Sequence, residues 1–314
     1  VPSASFVTRF APSPTGRLHL GHAYSALTAF DAAKAANGRF ILRIEDIDHT
    51  RARPEFEAGI YEDLAWLGLE WETPVRRQSE HLNDYEAALA RLEAQGLIYR
   101  CFKTRKELAE AALSAPHGAV PALTPGPSAA DDEARWLAEG RAFAWRLSLT
   151  RARDHLGDAA WRDLAFVEEG RGSAGEHGRI QAEPERLGDV VLARKDVGVA
   201  YHLAVVVDDA AQSITHVIRG DDLHEAAHIQ RLLQALLGLP TPVYRHHHLL
   251  LGADGQRLAK RNGGETLHDL RDQGVTPREV RARLGLKVRP PIAFGQGACN
   301  KVACPTPPTN AAPF

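Results

Sequence analysis

The most constraining feature of this sequence is the rhythm of residues 6–102. An apolar run, "FVTRFA" (6–11), ends in a turn carrying Pro12, Pro14 and Gly16. The Ala-rich segment over 21–36 reads as a helix and stops at Asn37-Gly38. "RFILRIEDID" (39–48) reads as a second strand, with Phe40, Ile41, Leu42 and Ile44 buried. Pro54 opens another helical pattern through Phe56, Ile60, Leu64 and Leu67. A further helix is expected over 81–95, and "LIYRCF" (97–102) returns as a strand. Strands alternating with helices imply a parallel sheet with crossover helices, an α/β fold.

The middle of the chain changes character. "SAPHGAVPALTPGPSAADDE" (114–133) is rich in Pro, Ala, Gly and Ser and reads as a surface excursion. "RAFAWRLSL" (141–149) is strand-like and 168–188 loop-like. Residues 189–222 read as strands separated by turns at 196–198 and 208–212. A helix over 224–237 and a strand, "VYRHHHLLL" (243–251), follow. Then comes the polar loop "GADGQRLAKRNGG" (252–264), with short helices expected at 266–272 and 277–284. Residues 290–314 are Pro-rich, lack periodicity and read as a tail.

Composition excludes several classes. A chain of 314 residues suits roughly two domains. Its net charge of -2 means that any contact with a polyanion must be made by a local basic surface. Three cysteines (Cys101, Cys299 and Cys304) argue against a disulfide framework and fit a reducing, cytoplasmic setting. No basic-then-apolar leader and no uncharged apolar run of about 18 residues is present, so no membrane partner is expected.

Two short stretches carry chemistry. In "RLHLGH" (17–22), a strand, a tight turn and a helix start bring backbone N–H groups and the positive end of a helix together, which is a phosphate-binding arrangement. His19 and His22, three apart, have rings able to point to one side and to hydrogen-bond a phosphate gaining charge. Gly21 lets a flat ring approach the backbone. Two surface histidines at a helix mouth would share this spacing; a metal would need a third ligand, and the sequence offers none nearby. The second stretch, "RLAKR" (257–261), sits between glycines and suits a clamp on triphosphate, although a solvated basic loop has the same composition. Three adjacent histidines, His246 to His248, cannot converge on one ion, because alternate strand residues face opposite ways. They read as sheet and rim residues.

Together these stretches resemble class I aminoacyl-tRNA synthetases of the glutamyl branch. "HLGH" (19–22) resembles the HIGH signature and "RLAKR" the KMSKS loop. "RFAPSPTGRLHLGH", "RIEDID" (43–48), "YHLAVVVDD" (201–209) and "VIRGDD" (217–222) resemble glutamyl-branch segments in the same order, over about 1–270. Within the branch the chain is most similar to the short glutamyl-queuosine tRNA(Asp) synthetases. The resemblance implies a Rossmann-like parallel-sheet catalytic domain with an inserted subdomain and no anticodon-binding domain. Its implied division is 1–100 and 189–264 as the two catalytic halves, 101–188 as the insert, 265–289 as a short helical extension and 290–314 as tail.

The resemblance also implies an activity: ATP-dependent activation of L-glutamate to glutamyl-adenylate without tRNA, then transfer to the queuosine of tRNA(Asp). The implied catalytic residues are His19, His22 and Lys260. ATP would be held by these together with Gly21 and Arg257, and accompanied by Mg²⁺. Glutamate would be held by Arg9, Ser13, Glu45, Tyr201 and Arg219. Arginine suits the task, since charge-assisted hydrogen bonds to a γ-carboxylate are lost on an amide. A monomer is expected. Relatives bind zinc through a Cys-x-Cys pair, a tyrosine and a further cysteine after "YRC"; here Cys101 is followed by Lys103 at the second position, so no zinc is expected. In the KMSKS-like loop Arg257 and Ala259 replace lysine and serine. Two other readings share these residues: a truncated or discriminating glutamyl-tRNA synthetase charging a 3′ end, and a catalytically silent RNA-binding paralogue.

Overall fold

The computed structural model describes residues 5–104, 107–108, 124–172, 174–194, 198–250 and 265–287. The loop 252–264, the tail 290–314, Cys299, Cys304 and the first half of the 114–133 excursion lie outside the described residues.

Strand β1 (Val7–Phe10) leads through the Pro/Gly turn into α1 (Leu20–Ala35). The chain reverses at Asn37, which has φ of 49°, and enters β2 (Arg39–Ile44). Gly38 is required here, because a Cβ would lie 2.2 Å from the Phe6 carbonyl oxygen. Helix α2 (Pro54–Trp66) starts on Pro54, whose missing N–H is not needed in a first turn. After β3 (Arg76–Arg77) and α3 (Leu82–Ala94) comes β4 (Ile98–Cys101). Then follow α4 (Ala130–Ala138), β5 (Ala144–Leu147), α5 (Leu149–Asp163), β6 (Ala165–Glu168), β7 (Gly178–Gln181), β8 (Val191–Arg194) and β9 (Gly198–Val199). The chain continues with α6 (Tyr201–Ala211), β10 (His216–Gly220), α7 (His224–Leu237), β11 (Val243–His247), α8 (Leu267–Asp272) and α9 (Pro277–Arg283).

The larger sheet has the order β3-β2-β1-β10-β11-β6-β7. All neighbours in it are parallel except β6 and β7, which form an antiparallel pair. Adjacent strand residues alternate between two cores. Val7, Ile41 and Val217 face one, with α3, α6 and α7; Phe10, Leu42 and Ile218 face the other, with α1, α2, α8 and α9. Burial on both faces explains why the strands read as apolar runs. The order reverses where β1 lies between β2 and β10, the position at which open α/β sheets bind ligands beyond the carboxyl ends of the strands.

Three expectations are corrected. The 97–102 strand does not join the parallel sheet: β4 pairs antiparallel with β5, in a separate sheet ordered β4-β5-β8-β9. The third parallel position is taken by Arg76–Arg77, two charged residues with no apolar pattern to announce them. The stretch 168–188 is not only loop, since β7 lies in it and forms a hairpin with β6 in the larger sheet. "YHLAVVVDD" is a helix, α6, so the expected turn at 208–212 is in large part its last turn. The β-branched run Val205–Val207 favours a strand, but packing of Leu203, Ala204, Val205 and Val206 against the sheet overrides that preference.

Candidate active site

A cleft of about 580 Å³ opens at the carboxyl ends of β1, β2, β10 and β11. Arg9, Ser13, His19, Gly21, His22, Glu45, Tyr201 and Arg219 all line it. Every sequence-predicted site residue within the described chain is therefore in one cavity. Lys260 and Arg257 lie outside the described residues.

His19 is the N-cap of α1. Its Nδ1 accepts from the Gly21 N–H at 3.1 Å, and its own N–H donates to Nδ1 of His22 at 3.2 Å. The two imidazoles thus make a reciprocal capping box, with ring centroids 3.8 Å apart. A neutral imidazole that accepts at Nδ1 carries its proton on Nε2. Both rings are therefore set as Nε2–H donors beside a helix N-terminus that has no acidic residue in its first turn. Gly21 has a steric role as well: a Cβ there would lie 2.9 Å from Cε1 of His19.

The opposite wall is charged. Glu45 follows β2 directly and accepts from Arg43 at 3.1 Å. Burial raises its pKa, against the lowering pull of Arg43 and Arg9. Asp46, the next residue, faces away and accepts from the Ser79 N–H at 2.8 Å. Fully buried Arg43 also donates to Asp209 at 2.8 Å and to Gln212 at 3.0 Å. Asp209 in turn accepts from Nε of Arg9 at 3.1 Å. Burial would raise the pKa of Asp209, but the two guanidiniums outweigh it and hold the group below the usual carboxylate range. Its neighbour Asp208 accepts from Arg76 at 2.7 Å, Gln78 at 2.7 Å and Tyr85 at 2.8 Å. The acidic pair at the end of α6 thus anchors β1, β2 and β3 to the helix whose N-terminus carries Tyr201.

Arg219 is buried on β10. It donates to His246 Nε2 at 3.1 Å, to the Tyr201 hydroxyl at 3.3 Å and to the Leu223 carbonyl at 3.0 Å. His246 is accordingly not a rim residue. It is 2% exposed, and its Nδ1 faces the Glu168 carboxylate. His247 points the other way and meets Ser25 Oγ at 2.9 Å, as strand alternation requires.

The family profile described as "tRNA synthetases class I (E and Q), catalytic domain" matches residues 5–121 and 174–291. The chain belongs to this family. A curated relative, the glutamyl-Q tRNA(Asp) synthetase of Rhodobacter capsulatus, is 47% identical over 89% of this chain and 100% of its own length. Glutamate--tRNA ligase 2 of a Methylobacterium species is 40% identical over 87% of this chain, but only 58% of that protein is covered. Among solved structures, the glutamate tRNA ligase of Elizabethkingia meningosepticum, in complex with its amino acid, is similar at a TM-score of 0.69 and 26% identity. That match covers 89% of this chain and 60% of the ligase.

In this class I synthetase, sequence reasoning missed Arg43, Asp208, Asp209 and Glu168. The one available signal was "VVVDD", an acidic pair ending an apolar run, with buried arginine as its natural partner. Two groups of possible metal ligands occur among the described residues: Glu168, His224 and His246, and His224, Glu225 and His228. In the first, both ring nitrogens of His246 have protein partners. In the second, His228 accepts from the Glu183 N–H through Nδ1, which places its proton on Nε2 and occupies that position. Neither group offers three lone pairs as it stands. Cys101 is buried and is the one cysteine among the described residues. No helix of the described chain is long and apolar enough to cross a membrane.

Proposed function

We propose that this class I synthetase activates L-glutamate with ATP and transfers it to the queuosine of tRNA(Asp). The observation that carries the chemistry is the single cleft lined by two histidines at a helix start, two buried guanidiniums and the half-buried Glu45 carboxylate. The nucleic-acid substrate follows from full-length likeness to glutamyl-Q tRNA(Asp) synthetases.

Glutamate enters with its γ-carboxylate toward Arg219 and Arg9 and its α-ammonium toward Glu45; Ser13 and the Tyr201 hydroxyl complete the contacts. Nε of Arg9 is held by Asp209, which fixes the guanidinium plane. Glu45 lacks full compensation until a cation arrives, as its raised pKa indicates, and the substrate ammonium supplies it. ATP, entering with Mg²⁺, lays its adenine over Gly21 and its α-phosphate beside His19 and His22. The glutamate α-carboxylate attacks that phosphorus and pyrophosphate leaves. The two imidazoles and Lys260 stabilise the added negative charge, and no protein nucleophile is needed. We assign no structural zinc, since one buried thiolate does not make a closed site.

A second cavity, of about 910 Å³, shares Ser13, Thr15, Glu45 and Tyr201 with the first and reaches Lys103, Arg146 and Arg194. It offers a route by which a nucleotide could reach the adenylate. The test has two arms. Glutamate-dependent ATP–pyrophosphate exchange is expected without tRNA, and charging is expected of tRNA(Asp) carrying queuosine but not of the unmodified transcript. Exchange that requires tRNA, with charging of a 3′ end, would establish the truncated ligase; no exchange under either condition would establish a silent paralogue.

A further inference from the structure

Three adjacent parallel strands place three side chains in a row behind the cleft. Arg219 on β10 is in register with His246 on β11. Tyr244, two residues earlier, is in register with Glu168 on β6. The row is dry: Glu168 is 0% exposed, His246 2% and Arg219 6%. Tyr244 closes it from one side, its ring 5.2 Å from the Arg219 guanidinium carbon, and His224 closes it from another, edge-on to His246 at 5.0 Å.

The hydrogen bonds have a fixed sense. The Glu168 carboxylate accepts from the Gly170 N–H at 2.7 Å and from the His246 N–H at 2.9 Å. Its second oxygen faces His246 Nδ1. Arg219 always donates, so Nε2 of His246 must accept, and the ring proton must sit on Nδ1 and point at Glu168. One carboxylate therefore sets the tautomer of one imidazole, and that imidazole presents a lone pair to one guanidinium. Burial and Arg219 keep this ring neutral, with its pKa pushed down to about 4 even though Glu168 pulls it up.

We propose that Glu168 and His246 are positioning residues for glutamate selection: they hold Arg219 at Nε, so that its remaining N–H groups meet the substrate γ-carboxylate in a single orientation. Arg219 spends another donor on the Leu223 carbonyl and one more on Tyr201. Its plane is thereby fixed at three points before substrate arrives, and little ordering remains to be done on binding. This inference rests on the assignment of Arg219 to the γ-carboxylate.

Glu168→Gln is the sharpest test, because it is nearly isosteric. Three donors converge on Glu168, and an amide has one oxygen. If that oxygen keeps the two backbone N–H groups, its NH₂ faces Nδ1 and forces the ring proton onto Nε2, where it opposes the Arg219 Nε–H. We expect the KM for glutamate in pyrophosphate exchange to rise about tenfold or more, as for one lost charge-assisted bond. The KM for ATP and the melting temperature should change little, and rejection of glutamine should weaken. His246→Gln, which keeps an acceptor for Arg219, should lie between wild type and Glu168→Gln; if Glu168→Gln does not fold, His246→Gln against His246→Leu decides by the same readout. An unchanged KM for glutamate in these variants, alongside a large rise in Arg219→Ala, would overturn the positioning role alone. An unchanged KM in Arg219→Ala as well would overturn the glutamate-binding assignment beneath it.

Discussion

At the scale of the residue, the helix mouth shows how one constraint serves two purposes. His19 and His22 were legible from their spacing, since residues three apart share a side of a helical turn. The structure adds that they cap the helix themselves, in the position where Ser and Glu usually stand. Capping uses Nδ1 of each ring, which sets the proton on Nε2 in two rings that line the cleft. Gly21 then has a reason to lack a side chain besides the proposed room for adenine: the His19 ring occupies the space a Cβ would need. We predict that Gly21→Ala displaces that ring, lowers the rate of glutamyl-adenylate formation about tenfold or more, as expected for one misplaced oxyanion donor, and leaves the KM for glutamate near wild type. The check is steady-state exchange kinetics. A rise in the KM for glutamate with an unchanged rate would show that Gly21 serves the amino acid and not the phosphate. Buried Arg43 was not legible, and the acidic pair of "VVVDD" signals a buried cation without saying which, because the pairing forms only when the helix carrying Asp209 is folded against the sheet.

At the scale of the element, long apolar strands and capped helices were readable, and short or packing-dependent ones were not. β2 was found because Phe40, Ile41, Leu42 and Ile44 are buried on both faces; β3 was missed because two residues have no period. β4 was recognised as a strand but assigned to the wrong sheet, since an edge reads the same whichever partner completes it. The short helices expected at 266–272 and 277–284 are present, and the structure adds that Thr266 and Thr276 open each with a capping box. α8 also locates the ends of that loop. Leu250, just before it, lines the cleft, and Thr266, just after it, bridges to His19, with the Leu267 N–H donating to the Leu18 carbonyl at 2.9 Å. The described residues that flank the segment thus lie at the cleft (Leu250) and at the helix mouth (Thr266). On this basis Lys260→Ala should reduce the exchange rate at least tenfold more than Arg257→Ala, by the loss of a transition-state contact to phosphate. Equal, mild losses in the two variants would remove Lys260 from the proposed machinery.

At the scale of the whole molecule, one sheet carries the substrate cleft at its carboxyl ends and several buried ionisable groups within its layers, so stability and pH are coupled. Burial, with help from Arg219, lowers the pKa of His202 to about 4, and His246 is lowered similarly. Between pH 4 and the ordinary histidine value of 6.5 the unfolded chain binds more protons at these two sites, so their contribution to stability rises with pH across that window. Asp63 acts in the opposite sense. It is buried on α2 with Arg271 of α8 at 3.6 Å, and burial raises its pKa to about 6 despite the lowering effects of Arg271 and Arg17. Between its ordinary value of 3.8 and 6 the folded chain binds the additional proton there, so its contribution falls as pH rises. Two sites outweigh one, and the urea midpoint should drop as pH is lowered from 7 to 4.5. The sign of the Asp63 contribution gives a sharper test. Among the described residues its carboxylate oxygens have no hydrogen-bond partner, so ionisation leaves a charge compensated by Arg271 at 3.6 Å without a hydrogen bond. Asp63→Asn should therefore raise the urea midpoint at pH 7, where the native carboxylate is charged, and raise it by a smaller amount at pH 4.5, where the native acid is neutral and only the unfolded one is still ionised. Equal stabilisation at both pH values would mean that packing, not ionisation, sets the balance between α2 and α8.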